Sequence, residues 1–270
     1  MKKNRFKKKI KVIQANDIKD IFVDNKALNL IDIRLLNSNR KSRNMYIKNS
    51  FDTAIKIIKK GYTNKFINGP INKSSFLDKK FLGITEYISN KFTKKNIGML
   101  IYNKKLSVSP LTTHLPIKLV AKKITKKLIE KKIETIHNFY ERHLKIKAKI
   151  AVTGINPHCE SILKFNEDEK IVKLAVKSKI KSGINVKGPY PADTLFLKAN
   201  RKKFNVVLGM YHDQVLTPMK TLFEYDAINI TMGLSFLRIS PDHGPNERMI
   251  GKNKSDPLSL IRALNFLDKR

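Results

Sequence analysis

Short apolar runs alternate along the chain with segments of helical periodicity, and this alternation most constrains its fold. Apolar residues recur every three or four positions over 118–144, which predicts one long amphipathic helix with His137 and His143 facing solvent. Further helices are predicted around 50–60, 167–182 and 257–267, and strands at 146–152, 97–102, 106–111, 206–210, 227–231 and 236–239. Strands that alternate with helices predict an α/β layered fold.

Three of the predicted strands are followed directly by polar, histidine-bearing segments. TTHLP follows 106–111, GINPHCE follows the strand that ends near 152, and YHDQ follows 206–210. Ligand-binding groups of α/β proteins gather on loops at strand ends, because the sheet fixes the loop anchors. His114, His158 and His212 are therefore candidate functional residues.

The three histidines are too far apart in sequence to form a local zinc-finger pattern, so only the fold could bring them together. Taken one at a time, each is more often a surface or core residue than a ligand. Together they would suit a divalent first-row ion with open positions for substrate oxygens. His243, in SPDHG, is either a turn residue or a contact to a cofactor or substrate.

Several common chemical signatures are missing from the sequence. There is no G-x-G-x-x-G dinucleotide loop and no Walker A motif, and the segment NGPINKSS is better interpreted as a strand-to-helix turn with Asn72 or Ser74 as helix cap. No nucleophile and base are paired in the sequence. Cys159, beside His158, is expected to be a small buried filler.

The formal net charge of +34 raises nucleic acid as a partner. Only ten of the 56 basic residues are arginine, the residue that groove readers favour, and the lysines are spread throughout the chain. We therefore expect a basic surface suited to anionic metabolites, and no nucleic acid. One cysteine and no long apolar run predict a cytoplasmic protein without a membrane segment.

Seven segments occur in an order typical of one enzyme family. They are NGPINK (68–73), LTTHLPI (111–117), TGINPHCE (153–160), GPYPADTLF (188–196), LGMYHDQVLTPMK (208–220), NITMGLSFLRISPDHG (229–244) and GKNKSDPLSL (251–260). Over about 65–265 the chain thus resembles the 4-hydroxythreonine-4-phosphate dehydrogenases. The resemblance implies a three-layer α/β/α fold like that of isocitrate and isopropylmalate dehydrogenases, with two interleaved lobes. It also implies that residues 1–270 form a single dehydrogenase unit, acting as a homodimer with a shared active site.

The resemblance also implies roles for individual residues. Those of metal ligand fall on His114, His158 and His212; those of substrate contact fall on Thr85, Lys220, Asn229 and Arg238; those of cofactor contact fall on His243, Gly244 and Asp256. Lys220 and Asp213 are the candidate catalytic residues. Asp213 and Asp193 are more plausible as orienting or turn residues than as ligands.

The implied reaction is NAD-dependent oxidation of a small phosphorylated hydroxy amino acid, assisted by zinc, cobalt or magnesium. The 3-oxo acid product then loses carbon dioxide, a step of pyridoxal phosphate biosynthesis. A metal on neutral imidazoles would lower the pKa of the substrate hydroxyl, while Lys220 and Arg238 supply fixed positive charge. Two structural alternatives stay open: Lys220 as a surface lysine, and Arg238 paired with a core carboxylate.

Three positions depart from the family pattern. Ile84 stands where members have a histidine near the substrate phosphate, and GPNERMIG (244–251) replaces a small-residue stretch beside the cofactor. The glycine- and proline-rich segment that opens most members has no counterpart, so we expect a strand and helix of the N-terminal lobe to be absent. These departures keep two alternatives open: a dehydrogenase of a four-carbon sugar-acid phosphate, and a degenerate, non-catalytic homologue.

Overall fold

The structure is a computed structural model that describes residues 9–14, 23–24, 26–37, 39–72, 84–92, 96–161, 165–245 and 247–270. Ser74, one of the two predicted helix caps, lies outside them. The described residues up to 64 form one compact unit and those from 65 onward form another. The predictions of a single dehydrogenase unit over 1–270, and of two interleaved lobes, stay predictions.

The first unit contains two strands and one helix. Strands β1 (Ile10–Gln14) and β2 (Leu28–Asp32) pair in parallel, and helix α1 spans Arg40–Lys59. Asn39 caps this helix by accepting a hydrogen bond from the Ser42 backbone N–H at 2.8 Å. The helix begins ten residues before the predicted range of 50–60. The prediction missed its first half because that half carries few apolar residues and only the cap marks its start.

The second unit is built on one eight-stranded mixed sheet with the order β3-β10-β9-β4-β5-β8-β6-β7. Its strands are β3 (Lys65–Ile67), β4 (Gly98–Tyr102), β5 (Ser107–Thr112), β6 (Ile150–Thr153), β7 (Val186–Tyr190), β8 (Val206–Tyr211), β9 (Ile228–Met232) and β10 (Leu237–Pro241). Strands β5, β8, β6 and β7 run parallel, whereas β4, β9 and β10 pair antiparallel.

Helices cover both faces of this sheet. They are α2 (Ile84–Lys91), α3 (Ile117–Lys123), α4 (Lys126–Phe139), α5 (Lys173–Lys181), α6 (Ala192–Leu195), α7 (Lys198–Arg201), α8 (His212–Phe223) and α9 (Leu258–Asp268). One buried cluster packs α4, α5 and α9 on one face, and a second packs α8 on the other; alternating residues of β8 enter each cluster. The predicted α/β layered fold is confirmed. No helix in the described part of the chain could span a bilayer.

The prediction of one continuous helix over 118–144 is wrong, because the structure divides this range into two helices and a final turn. The chain leaves helical geometry at Ile124, and Thr125 starts a new helix by accepting the Leu128 N–H. A π-helical turn, Tyr140–Leu144, ends it. The strand predicted over 146–152 is shorter and begins at Ile150.

The two histidines on this helical stretch do not face solvent as predicted. The His137 side chain is only 19% exposed, and His143 is half-buried with its ring 5.0 Å from that of Phe139. Burial, with the nearby charges of Arg142, Lys145 and Arg270, lowers the pKa of His143. Neither histidine belongs to the predicted site.

Candidate functional site

The parallel half of the large sheet brings the three predicted metal histidines to one edge. Strand β8 lies between β5 and β6, and both neighbours run parallel to it, so the carboxyl ends of all three strands share that edge. His114 follows β5, His212 is the first residue of α8 directly after β8, and His158 lies five residues beyond β6.

Two of these imidazoles lie close together. The ring centroids of His114 and His212 are 6.0 Å apart, with 33° between the ring planes. An ion about 2.1 Å from a ring nitrogen lies roughly 3.2 Å from the centroid, so two rings can share it only with centroids within about 6.4 Å. At 6.0 Å the pair lies within this limit, which a common metal ion of the kind that the family implies would require.

A carboxylate orients the His212 ring. Asp213 Oδ1 lies 2.6 Å from His212 Nδ1, and this arrangement favours the tautomer in which Nδ1–H donates to the carboxylate. The other ring nitrogen, Nε2, is then the one with a lone pair for a metal. Asp213 itself is exposed, and its predicted catalytic role stays a prediction.

His158 is exposed on its loop and is not brought into the pair. Within the part of the chain that the structure describes, no three His, Cys, Asp or Glu side chains are close enough to hold one ion. A site made by the three histidines within one chain is thus not assembled here, and the three-histidine metal site stays a prediction.

The backbone of the histidine loops is unusual. Six described residues other than glycine have a positive φ, and two of them are His114 (53°) and His158 (56°); Cys159 follows at 61°. Left-handed backbone is disfavoured for residues with a Cβ and persists where surrounding contacts enforce it, often at functional sites. Three of the six such residues thus lie on the two histidine loops, and Lys145, Glu224 and Asn253 are the others.

Two residues that the sequence did not single out fasten the loop after β6. The carboxylate of Asp168 accepts hydrogen bonds from the backbone N–H groups of Ile155 (2.7 Å) and Asn156 (3.0 Å). The Gln214 side chain, in the first turn of α8, donates to the Gly154 carbonyl at 2.7 Å and accepts from Thr153 Oγ1 at 2.8 Å. Gln214 lies inside the YHDQ motif, which was the available signal; Asp168 had none.

Cys159 is half-buried instead of fully buried as expected. Burial, followed by the negative charge of Asp168, raises the pKa of its thiol to about 11. It is therefore a neutral thiol near pH 7, whereas a nucleophilic cysteine reacts as the thiolate.

A buried guanidinium lies in the antiparallel half of the sheet. Arg238, in β10, is only 2% exposed and donates to the side-chain oxygens of Asn68 (2.8 Å), Thr231 (3.0 Å) and Thr85 (3.5 Å). Burial, partly offset by Glu86, lowers its pKa to about 10, so the group remains charged. No carboxylate of the described residues forms an ion pair with it, so the core pairing considered above is not seen.

Thr85, Ile84 and Asn229 are the other positions at which the sequence predicted a substrate contact or a departure from the family. Thr85 contacts Arg238 from α2, whereas Ile84, in the place of the expected histidine, is a buried apolar residue. The side-chain oxygen of Asn229, Oδ1, is buried without a hydrogen-bond partner among the described residues. An acceptor of this kind is costly unless a ligand donor reaches it.

Lys220, in α8, is held by a carboxylate that the sequence did not single out. Its Nζ lies 2.6 Å from Asp242 Oδ2 and donates to the Asp242 carbonyl at 2.5 Å. The Asp242 N–H in turn donates to Ser259 Oγ at 2.9 Å, which ties it to α9. Burial raises the pKa of Asp242, although the charges of Lys220, His243 and His212 act in the opposite direction. Lys220 is thus more than a free surface lysine.

The predicted cofactor residues occupy the segment after β10. His243 Nδ1 lies 3.0 Å from the Gly244 carbonyl oxygen, and a Cβ at Gly244 would meet nothing within 4 Å. Asp256 is exposed and accepts the Leu258 N–H at 2.8 Å, near the start of α9. These positions are open to a ligand, and their cofactor roles stay predictions.

Comparison with known proteins shows the family. The family model of the pyridoxal phosphate biosynthetic protein PdxA matches residues 2–267, a range that begins well before the quoted motifs. A 4-hydroxythreonine-4-phosphate dehydrogenase of Sulfurihydrogenibium sp. is 37% identical over 84% of this chain and 70% of its own length.

Solved structures agree in fold. The crystal structure of 4-hydroxythreonine-4-phosphate dehydrogenase from Klebsiella pneumoniae matches with a TM-score of 0.78 and 27% identity, over 96% of this chain and 83% of that one. Isocitrate dehydrogenase from Methylococcus capsulatus shares the fold alone, at a TM-score of 0.51 and 12% identity over 81% and 70% of the two chains. From the family model, the relative and the shared fold, we conclude that this chain belongs to the PdxA family of pyridoxal phosphate biosynthetic proteins.

Proposed function

We propose that this chain is a 4-hydroxythreonine-4-phosphate dehydrogenase. It would oxidise 4-phosphooxy-L-threonine with NAD and a divalent metal to the 3-oxo acid, which decarboxylates to 3-amino-2-oxopropyl phosphate. The names of the relatives support this assignment. The observation that carries it is the approach of two matched motifs in space: His114 of LTTHLPI and His212 of YHDQ lie with ring centroids 6.0 Å apart.

His114 and His212 would hold the metal, with His158 as the third ligand. The enzyme would act as a homodimer with a shared active site, and we expect His158 to complete the triad in that assembly. Bound there, zinc, cobalt or magnesium would supply Lewis-acid activation of the substrate hydroxyl, and NAD would supply the hydride acceptor. Asp213 keeps the His212 ring in its ligating orientation through the 2.6 Å contact to Nδ1.

Two cations would recognise the anionic ends of the substrate. Arg238 is buried and has no ion pair with a described residue, which is costly, and an incoming phosphate or carboxylate would relieve that cost. Thr85 would add a hydroxyl beside it, and Asn229 Oδ1, which has no hydrogen-bond partner in the described part of the chain, would accept a substrate N–H or O–H. Lys220, now paired with Asp242, would supply the second positive charge and a proton at Nζ close to the reacting atoms.

His243, Gly244 and Asp256 would contact NAD through the segment after β10, which replaces a Rossmann loop. We place the enzyme in the cytoplasm, since a single cysteine offers no intramolecular disulfide. The high positive charge would serve an anionic metabolite, and we expect no nucleic-acid partner.

The direct test is NADH production from 4-phosphooxy-L-threonine, followed by absorbance, with and without a chelator. We expect turnover that the chelator abolishes and that added metal restores. The His114→Ala variant should lose it, whereas His143→Ala, on a half-buried helix position away from the sheet edge, should keep it. Absence of turnover with every metal would favour a degenerate homologue, above all if the protein bound DNA in a salt-sensitive way.

A second substrate class has one observation in its favour. Ile84 is a buried apolar residue where members of the family carry a histidine near the substrate phosphate. We therefore include phosphorylated four-carbon sugar acids in the substrate panel. A kcat/KM higher for one of these than for 4-phosphooxy-L-threonine would replace the first proposal with a sugar-acid phosphate dehydrogenase.

A further inference from the structure

The loop that carries His158 is organised around one buried carboxylate. Asp168 is fully buried, in the helical turn that precedes α5, and no lysine or arginine of the described residues forms an ion pair with it. Burying a carboxylate without a cation costs free energy unless hydrogen bonds replace the lost water. The hydrogen-bond partners of Asp168 that replace this water belong to the His158 loop or to the turn beside that loop.

Three N–H donors of this loop reach the carboxylate. Ile155 N donates at 2.7 Å, Asn156 N at 3.0 Å and Asn156 Nδ2 at 3.1 Å. Backbone amides that converge on an anion hold the chain in one conformation, because any other conformation would leave the charge unsolvated. The backbone of Ile155 and Asn156, the two residues immediately before Pro157, is therefore fixed.

The loop needs such an anchor because its backbone is strained. His158 and Cys159 have successive positive φ values of 56° and 61°. A left-handed residue with a Cβ costs about 1 kcal/mol or more, so two in succession persist only where neighbouring contacts enforce them. The contacts to Asp168 lie two and three residues before His158, and Asn166 Nδ2 donates to the Cys159 carbonyl at 3.4 Å on the other side.

Close packing links the carboxylate to the strand as well. A Cβ at Gly154 would lie 2.9 Å from Asp168 Oδ1 and 2.6 Å from Cys159 Sγ, so only glycine fits between them. The Gly154 carbonyl accepts from Gln214, two residues after His212. The base of the His158 loop is thus tied to the helix that begins with His212, and its middle is tied to Asp168.

We propose that Asp168 is a positioning residue that presents His158 to the metal. It touches neither substrate nor metal and acts through the backbone of the loop. This inference rests on the proposed function, since it assumes that His158 is a ligand, and it assigns a role to a residue outside the family motifs quoted above.

The test compares Asp168→Asn with Glu169→Gln in the full-length protein. The first substitution keeps the shape of the side chain and removes its charge, whereas Glu169 is a half-exposed neighbour whose one ion pair with a described residue is the surface pair with Lys173. Two quantities are measured: zinc affinity by calorimetry, and amide hydrogen exchange over 154–160. We expect Asp168→Asn to bind zinc about 10- to 100-fold more weakly and to exchange faster across the loop, with Glu169→Gln unchanged.

The outcomes separate the positioning role from its alternatives. A lower Tm for Asp168→Asn with wild-type zinc affinity and loop exchange would mean a merely structural carboxylate and would overturn the proposal. If Asp168→Asn does not fold, Asn156→Ala removes one of the three contacts and should weaken zinc binding in the same direction; unchanged affinity would again contradict it. If wild type binds no zinc but Asp168→Asn loosens the loop, the proposed function has failed while the anchoring by Asp168 stands.

Discussion

The parallel and antiparallel halves of the large sheet present functional groups in different ways. In the parallel half, the candidate metal ligands lie on segments that follow β5, β8 and β6, and two of the three need left-handed backbone. In the antiparallel half, Arg238 and Asn229 lie within strands, on backbone of ordinary geometry. Strand-end loops thus position side chains through backbone conformation, whereas strands position them through burial.

Substitutions on strand-end loops and within strands should therefore affect activity and stability for different physical reasons. A loop position depends on a few local contacts, so its loss should affect function more than global stability. A buried charge within a strand has a desolvation cost that its hydrogen bonds offset, so its removal should lower activity with little change in global stability. The predictions below test this contrast, beginning with the largest expected effect.

Removal of a loop histidine should be the most damaging change. His212→Ala is expected to lower kcat/KM about 10³-fold or more, or about 4 kcal/mol, because a metal site supplies several kcal/mol of charge stabilisation. The urea midpoint should change little, since His212 is only half-buried. A large loss of stability together with activity would contradict the assignment of loop residues to function alone. His137→Ala serves as the control for activity.

Substitution of the strand arginine should separate function from stability. Arg238→Met is expected to lower kcat/KM about 10²-fold, about 3 kcal/mol, because it removes the buried cation that we propose to bind the substrate phosphate or carboxylate. The ligand-free protein should change little in stability, because removal of the buried charge offsets the lost hydrogen bonds to Asn68, Thr231 and Thr85. Arg238→Lys should be nearly as inactive, because a point charge does not replace the planar fork. A destabilised, fully active Arg238→Met would refute the role.

Tight backbone approach distinguishes two glycines of similar conformation. Gly233, after β9, has φ of 88°, and a Cβ there would lie 2.1 Å from the Asn96 carbonyl oxygen; Gly183, before β7, has φ of 80° and open space. Gly233→Ala should cost about 3 kcal/mol of unfolding free energy, against about 1 kcal/mol for Gly183→Ala. Equal losses, measured by urea unfolding, would show that the close approach has no energetic consequence.

The smallest effect concerns Lys132, a buried lysine of α4 whose Nζ donates to the Ile97 carbonyl at 3.4 Å. Burial outweighs attraction by Glu86 and lowers the pKa of Lys132 to about 8. The unfolded chain then binds the Lys132 proton more strongly than the folded chain does. Lys132 therefore destabilises the wild-type fold most below pH 8, and the free energy of unfolding rises between pH 8 and the ordinary pKa of 10.5. Lys132→Met should be more stable by about 2 kcal/mol at pH 7, and the advantage should shrink by pH 10. An advantage independent of pH would exclude this origin.

Much of the parallel half could be predicted from sequence. Fully buried strands such as 206–210 are continuous apolar runs, and the polar segments that follow them mark the sheet edge. Short elements were harder to predict, because β3 and β7 have too few apolar residues to stand out. The break between α3 and α4 at Ile124 and Thr125 was missed because the helical pattern of apolar residues continues through it.

The contacts that hold the site were less accessible to sequence. Asp168 lies in an acidic stretch that has the composition of a solvent-exposed helix, and only the packing of the loop against it gives the carboxylate its donors. Asp242 likewise pairs with Lys220 across two elements that are distant in sequence. Motifs identify residue types at strand ends, but hydrogen bonds between loops depend on the three-dimensional arrangement.

The junction between β8 and α8 has a consequence for how the protein can vary. Strand and helix meet at Tyr211 and His212 without an intervening residue, so a single insertion there would rotate the imidazole by about 100° around the helix axis. The segments after β5 and β6 could change length without such a rotation. Related chains should therefore differ by insertions around His114 and His158 and keep a constant spacing at His212, which makes β8 the fixed reference for alignment and for engineering.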